Sequence, residues 1–248
     1  MRPTIAALST AALLLAGPSL AQSNELAFSL RGGVAAAPAY PGADEYEVGP
    51  DLGFSFGSLE WAGRSFGGVD RTGPALRGSF RYLGERDDED YPELAGLEDV
   101  DPALELGLGV IYRQPSWQAF ADVRRGFGGH EGTVGELGAD LILRPGAKTT
   151  VTAGPRLSFG DGAYAGTYFG VAEAEADASA FEAFDAEGGL LGAGFEVVHT
   201  YRLNDDWAVE SGIGYERLMN DAADSPITRD EDQFSVRVGI SRAIRLNF

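Results

Sequence analysis

The stretch Phe234-Ser235-Val236-Arg237-Val238-Gly239-Ile240-Ser241-Arg242-Ala243-Ile244-Arg245-Leu246-Asn247-Phe248 decides the fold. Apolar side chains stand at 234, 236, 238, 240, 244, 246 and 248, and small or polar ones at the positions between them. Successive residues of a strand point to opposite faces, so this period of two makes one greasy face and one polar face. Arg242 falls on the greasy side by parity, a position that snorkelling or a local bulge would accommodate.

Working outward, the alternation recurs along the chain. Leu104, Leu106, Leu108, Val110 and Tyr112 oppose Glu105, Gly107 and Gly109, and Leu137, Ala139, Leu141 and Leu143 oppose Glu136 and Asp140. Val151, Ala153, Leu157 and Phe159 oppose Thr150, Thr152, Arg156 and Ser158. Trp207, Val209, Ile213 and Tyr215 oppose Glu210, Gly212, Gly214 and Glu216, and Leu76, Phe80 and Tyr82 oppose Arg77, Ser79 and Arg81. A soluble β-sandwich alternates in the same way. What separates the two is the placement of aromatics near strand ends (Trp117, Tyr201, Trp207, Tyr215, Phe248), charge on the polar face, and a leader sequence.

The leader has Arg2 at its start, an apolar stretch from Ile5 to Gly17, and the small-x-small triplet Ser19-Leu20-Ala21. Cleavage is expected after Ala21, giving a signal peptide over 1–21 and one barrel domain over 22–248. The apolar stretch is short of the ~20 residues a helical anchor needs. No later run reaches that length, so any membrane crossing must use a closed barrel. The expected fold is all-β, a transmembrane antiparallel barrel of about twelve strands, with ten as the alternative. Twelve follows if 59–70 folds as two short strands, which puts every long loop at one end. Tight turns are expected near Gly57-Ser58, Arg71-Thr72-Gly73, Gln114-Pro115-Ser116, Pro145-Gly146 and Asn204-Asp205, and longer loops near 38–45, 84–102, 126–132, 160–187 and 218–232. In bacterial barrels the short turns face the periplasm and the long loops face outward.

The formal net charge of −19 argues against nucleic acid, because a phosphate binder needs a basic face. With no cysteine there are no disulfides or thiolate metal sites. Lys148 is the single lysine among 19 basic residues; arginine, always charged and able to fork onto carboxylates, suits ion pairs in a confined interior. Parity assigns Arg77, Arg81, Glu105, Asp122, Arg124, Glu136, Asp140, Arg156, Glu196, Glu210, Glu216, Arg237 and Arg245 to the lumen. Their mixed signs predict ion pairs across a narrow bore, leaving at most a narrow channel, rather than the one-sign ring of a selectivity filter.

The segments 84–102, 160–187 and 218–232 hold 21 of the 38 acidic residues. Asp87, Asp88, Glu89 and Asp90 are weak candidates for Ca²⁺ or Mg²⁺, without calcium-loop spacing; a solvated acidic surface explains them more simply. No cofactor is implied. His130, in Gly128-Gly129-His130-Glu131-Gly132, reads as the tip of a glycine-rich loop rather than a general base, and His199 falls on an outward position. Ser225 and Asp224 share a loop, but no spacing ties them to His130, so no catalytic residue is named.

Several stretches in one order also resemble the MipA/OmpV family, that of the MltA-interacting protein. They are Ala37-Pro38-Ala39-Tyr40-Pro41-Gly42 with Asp44 and Tyr46, Arg86-Asp87-Asp88-Glu89-Asp90, and Gly96-Leu97-Glu98-Asp99-Val100-Asp101. Arg124-Arg125-Gly126-Phe127-Gly128-Gly129-His130-Glu131-Gly132, Leu137-Gly138-Ala139-Asp140 and Gly154-Pro155-Arg156-Leu157 follow. Thr167-Tyr168-Phe169-Gly170-Val171 and Leu218-Met219-Asn220-Asp221-Ala222-Ala223-Asp224-Ser225-Pro226-Ile227 complete the set, and the chain is shorter than the family pattern around 58–72. The resemblance implies a non-enzymatic outer-membrane barrel, exported to the cell outer membrane and surrounded by lipid and lipopolysaccharide. For one branch it implies a scaffold that joins a lytic transglycosylase to a murein synthase. Ile244, Leu246 and Phe248 resemble the C-terminal signature read by the barrel-insertion machinery. A small-solute channel is the alternative function, and a barrel hydrolase a remote third.

Overall fold

The structure, a computed structural model, describes residues 24–62, 64–67 and 72–248. The expected signal peptide therefore lies outside the described residues. The chain forms β1 (Glu25–Pro38), β2 (Tyr46–Trp61), β3 (Arg64–Gly67), β4 (Gly73–Leu83), β5 (Ala103–Arg113), β6 (Trp117–Gly128), β7 (Thr133–Gly146) and β8 (Thr149–Gly160). Helices α1 (Gly162–Phe169) and α2 (Glu173–Ala178) precede β9 (Gly189–Arg202) and β10 (Trp207–Leu218), and the single turn α3 (Asp221–Asp224) leads to β11 (Asp232–Asn247).

All strands join one antiparallel sheet in the order β3-β2-β1-β11-β10-β9-β8-β7-β6-β5-β4. The first and last strands pair from Glu25↔Asn247 to Ala36↔Val236, and Asn24 and Phe248 exchange backbone hydrogen bonds of 3.1 and 3.0 Å. The sheet curls until β2 lies beside β4, where a Cβ on Gly78 would stand 2.8 Å from the Phe54 ring. No ladder joins β2 to β4 among the described residues. Ten long strands thus make a nearly closed barrel. The two short strands expected within 59–70 are not what is observed. β2 continues through 57–58 to Trp61, and β3 folds back onto its end from Ser58↔Gly67 to Trp61↔Arg64.

The long connections, 39–45, 84–102, 129–132, 161–188 and 219–231, all leave the same end of the barrel, and the short turns occupy the other. Burial is inverted relative to a water-soluble protein. Val48, Leu108, Leu141, Ile213 and Val236 are 75%, 70%, 63%, 59% and 55% exposed, and their equivalents encircle the barrel. In water each such side chain would forfeit about 2 kcal/mol of burial. Arg242 joins this outer face without a bulge, and its guanidinium lies 5.1 Å from the ring centroid of its cross-strand partner Trp207. The pair sits next to the turn at 203–206, where a charge can reach the interface.

The apolar core of the protein is in the loops. Tyr164, Ala165, Tyr168, Phe169, Ala186 and Ala222 pack with Val100, Val134, Leu191 and Leu218 at the barrel mouth. Tyr40, Ala43, Tyr91, Leu94, Leu97, Val171 and Ile227 form a second cluster beside it. The acidic segments are therefore not merely solvated loops: they fold into a cap whose acids face out and whose aromatics face in. Asp161 pins α1 to the barrel, its carboxylate accepting from Tyr164 N at 3.0 Å and Thr133 N at 2.8 Å.

No helix among the described residues is long and apolar enough to cross a membrane, so crossing would be by strands. Leu108 lies midway along β5 on the outer face. Leu108→Arg is expected to lower the unfolding free energy in liposomes by about 2–4 kcal/mol, measured by urea titration, if that face meets lipid. An unchanged midpoint would show that it does not.

Candidate functional site

Each long strand contributes a charged side chain to one of two runs of ion pairs. The longer run passes from Arg81 to Glu105 (2.6 Å), Arg124 (2.9 Å), Glu136 (3.3 Å), Arg156 (3.7 Å), Glu196 (2.9 Å) and Arg237 (2.6 Å). The shorter joins Glu210 through Arg31 to Asp51, at 3.3 and 2.9 Å. Arg77 reaches Asp122 at 3.2 Å, and Arg156 also reaches Asp140 at 2.7 Å. These pairs link strands that are adjacent or one apart in the sheet, so they follow the wall. The expectation of pairs spanning the bore is corrected accordingly. Inward-facing glycines explain the geometry, because they leave room for a neighbouring strand's side chain to lie flat. A Cβ on Gly109 would stand 1.8 Å from Asp122 Oδ1, one on Gly53 3.0 Å from the Arg31 guanidinium carbon, and one on Gly212 2.9 Å from Arg237 Nε.

Two expected members behave differently. Arg245 lies exposed at the turn end, 3.4 Å from Asp206. Glu216 accepts a hydrogen bond from the Ser158 hydroxyl and has no ion-pair partner among the described residues. Arg31 and Asp51 were not singled out from the sequence, although each has inward parity on its own strand.

At the centre of the longer run is Glu105, whose side chain is 0% exposed. Arg81 grips it with two nitrogens at 2.9 and 2.6 Å, Arg124 Nε adds a third contact at 2.9 Å, and His130 Nε2 stands at 3.3 Å. His130 is not a solvated loop tip. It is 2% exposed, folded inward under α1, with its ring edge-on to Tyr164 and Tyr168. Gly126 makes this possible, since a Cβ there would stand 2.2 Å from the imidazole. The Gly132 N–H donates to His130 Nδ1 at 3.2 Å, which places the neutral ring's proton on Nε2, facing Glu105. Among the described residues no serine hydroxyl is bonded to this histidine: Ser225 donates to the Phe169 carbonyl at 2.6 Å and helps fold the cap. His199 shares the parity of Phe195 and Tyr201 on β9.

Phe120 is an aromatic side chain set among the inward charges. It is 8% exposed, and the guanidinium carbons of Arg77 and Arg156 lie 4.2 and 5.0 Å from its ring centroid. A Cβ on Gly138 would stand 2.3 Å from the ring, so that glycine is its seat. Its two arginines belong to the linings of two different cavities. The larger, 730 Å³, extends from Arg81, Arg124, Arg156 and Glu196 up to Arg86, Tyr91 and Tyr168 of the cap. The smaller, 170 Å³, is lined by Arg77, Ile111, Arg113 and Gln118 and reaches the β2–β4 seam at Phe56 and Gly78.

Of the acidic candidates, Asp87 and Asp90 converge with Glu85, their carboxylate oxygens within 4.8 Å of one another, while Asp88 and Glu89 stand apart from that group. The Asp90 N–H donates to Asp87 at 2.8 Å, so part of this cluster is an ordinary turn at the cap surface.

Residues 30–244 match the model of the family described as MltA-interacting protein MipA. No curated protein matches the chain. Among solved structures, the chain is similar to the NanC porin (11% identity, 87% of this chain and 98% of that chain, TM-score 0.39). It is similar also to the CymD monoaromatic hydrocarbon channel (10% identity, 91% and 89% covered, TM-score 0.37) and to OprG from Pseudomonas aeruginosa (12% identity, 88% and 96% covered, TM-score 0.29). At these scores the likeness carries no argument about what this chain binds.

Burial holds the His130 pKa below its ordinary 6.5, outweighing the pull of Glu105. The unfolded chain therefore binds a proton that the folded chain resists. Stability from the neutral ring is complete above pH 6.5 and falls as pH drops from there toward the folded pKa. His130→Gln, which cannot charge, is expected to flatten the change in thermal midpoint between about pH 7 and 5.5 in detergent. Equal slopes in the two proteins would remove His130 from the account.

Proposed function

The chain belongs to the MltA-interacting protein MipA family, and from that premise we propose that it is a non-enzymatic outer-membrane barrel serving as a scaffold or interaction protein of the cell envelope. The observation that carries the reading is an interior crowded with paired side chains. Phe120 holds against its ring Arg77, from the lining of the smaller cavity, and Arg156, from the lining of the larger, and a folded cap covers the mouth. A barrel built for throughput would keep a continuous water path between weak sites. Outer-membrane placement draws support from the encircling apolar face, which only lipid would satisfy. The non-enzymatic reading draws support from His130, whose ring is buried, with Nδ1 taken by a backbone donor and Nε2 3.3 Å from a carboxylate already held by two arginines.

The partners proposed are a lytic transglycosylase and a murein synthase, bound from the periplasmic side. Crosslinking in intact envelopes, followed by pull-down and mass spectrometry with this chain as bait, is expected to recover both. Recovery no better than with an unrelated barrel would end the murein role.

A narrow solute channel is the second reading, favoured by the 730 Å³ cavity behind the cap. Planar-bilayer recording separates the two. The wild type is expected to be electrically silent and Phe120→Ala to show discrete openings, whereas wild-type openings would favour the channel.

A further inference from the structure

Four guanidinium groups line the 730 Å³ cavity: Arg81, Arg86, Arg124 and Arg156. Three of them are ion-paired, Arg81 and Arg124 with Glu105 and Arg156 with Asp140 and Glu196. Arg86 is the exception. It is 4% exposed, and the carboxylates that act on it, Glu175 and Asp99, do so from beyond ion-pair distance. Its side-chain hydrogen bond among the described residues runs from Nη1 to the Tyr168 carbonyl at 3.2 Å, in the last turn of α1. That carbonyl carries only part of a negative charge and occupies one of five guanidinium donors. Desolvating a full charge for so little return is costly, and buried cations in proteins normally have an anion. A second group on the same wall has the same deficit: the Tyr168 hydroxyl is buried with no hydrogen-bond partner.

The geometry points to the cavity under the cap as a binding site for a small organic monoanion, with its acid group on Arg86 and its apolar body against the tyrosines. Tyr40, Tyr91, Tyr168, Phe169 and Leu218 supply an aromatic and aliphatic lining for that body. The cavity volume falls within the range typical of sites for small organic ligands. Charge at the entrance sets the class further. Glu47, Glu85 and Asp90, all exposed, line the same cavity, as does Glu216, which has no ion-pair partner among the described residues, so a polyanion would be repelled more strongly than a single carboxylate. This reading is independent of the scaffold role, since a barrel whose bore is shut can still hold a ligand beneath its cap.

Benzoate is a suitable probe, with benzyl alcohol as its uncharged counterpart, in calorimetric titration of the folded full-length barrel in zwitterionic detergent. One saturable benzoate site is expected, with no saturable site for benzyl alcohol. Arg86→Met is expected to weaken benzoate at least about tenfold, the loss of one charge-assisted contact. Arg144→Met, at an exposed residue bonded to the Pro115 carbonyl at the turn end, should leave binding unchanged. The proposal fails if benzoate shows no saturable binding, if benzyl alcohol binds as tightly, or if folded Arg86→Met binds as the wild type does. Should Arg86→Met not fold, the two-probe comparison on the wild type alone decides.

Discussion

The interior is organised around a carboxylate that water does not reach. Glu105 is fully buried, and two arginines and a histidine converge on it. Removing either arginine would leave the Glu105 carboxylate short of a counter-charge in a poorly solvated space, which is why buried pairs are costly to break. The contacts also fix positions. Arg81 passes on to the Tyr164 hydroxyl at 3.2 Å and so to α1, and Arg124 passes on to Ser79 and Glu136. Cap and wall are thereby joined through one ionised group.

The two halves of the molecule obey different solvent rules. Along the strands the outer face is apolar, and the inner face carries charge laid over glycine. Above the strands the order reverses, with aromatics inside and acids outside, as in an ordinary soluble core. The net charge of −19 belongs largely to that cap surface. The wall is closer to balance, because almost every inward arginine meets an inward acid.

Sequence periodicity reveals which face a residue occupies, but not which residue it meets. The alternation from Phe234 to Phe248 was readable because parity depends only on adjacent positions. The route of the ion pairs around the wall depends on strand register, and on glycines such as Gly109 and Gly53 that appear as mere gaps in the pattern. Phe120 was visible by parity as an apolar residue on the polar side, yet its seat on Gly138 requires two strands to be placed together. The glycines around His130 suggest a turn, whereas here Gly126 opens a recess for the ring. The cap core was least legible. Its contacts join segments as distant as Tyr40, Tyr91, Val171 and Ile227, and no periodic signal spans such separations. Around 57–71 the shortened segment gave too few residues to distinguish a long β2 with a hairpin from separate crossings.

The pairing of β1 with β11 gives the barrel an order of events. β1 is held on one side by β11, far from it along the chain, over a register from Glu25↔Asn247 to Ala36↔Val236. Such a contact closes nearly the longest loop the chain can form, and its entropy cost falls late. A chain stalled before its final strand would expose one full edge of β1 and one of β10, with unpaired amides that lipid cannot satisfy. The wall can seal only where both strands are present, so the β1–β11 seam makes closure of the barrel an all-or-none property of the sheet rather than of any one hairpin.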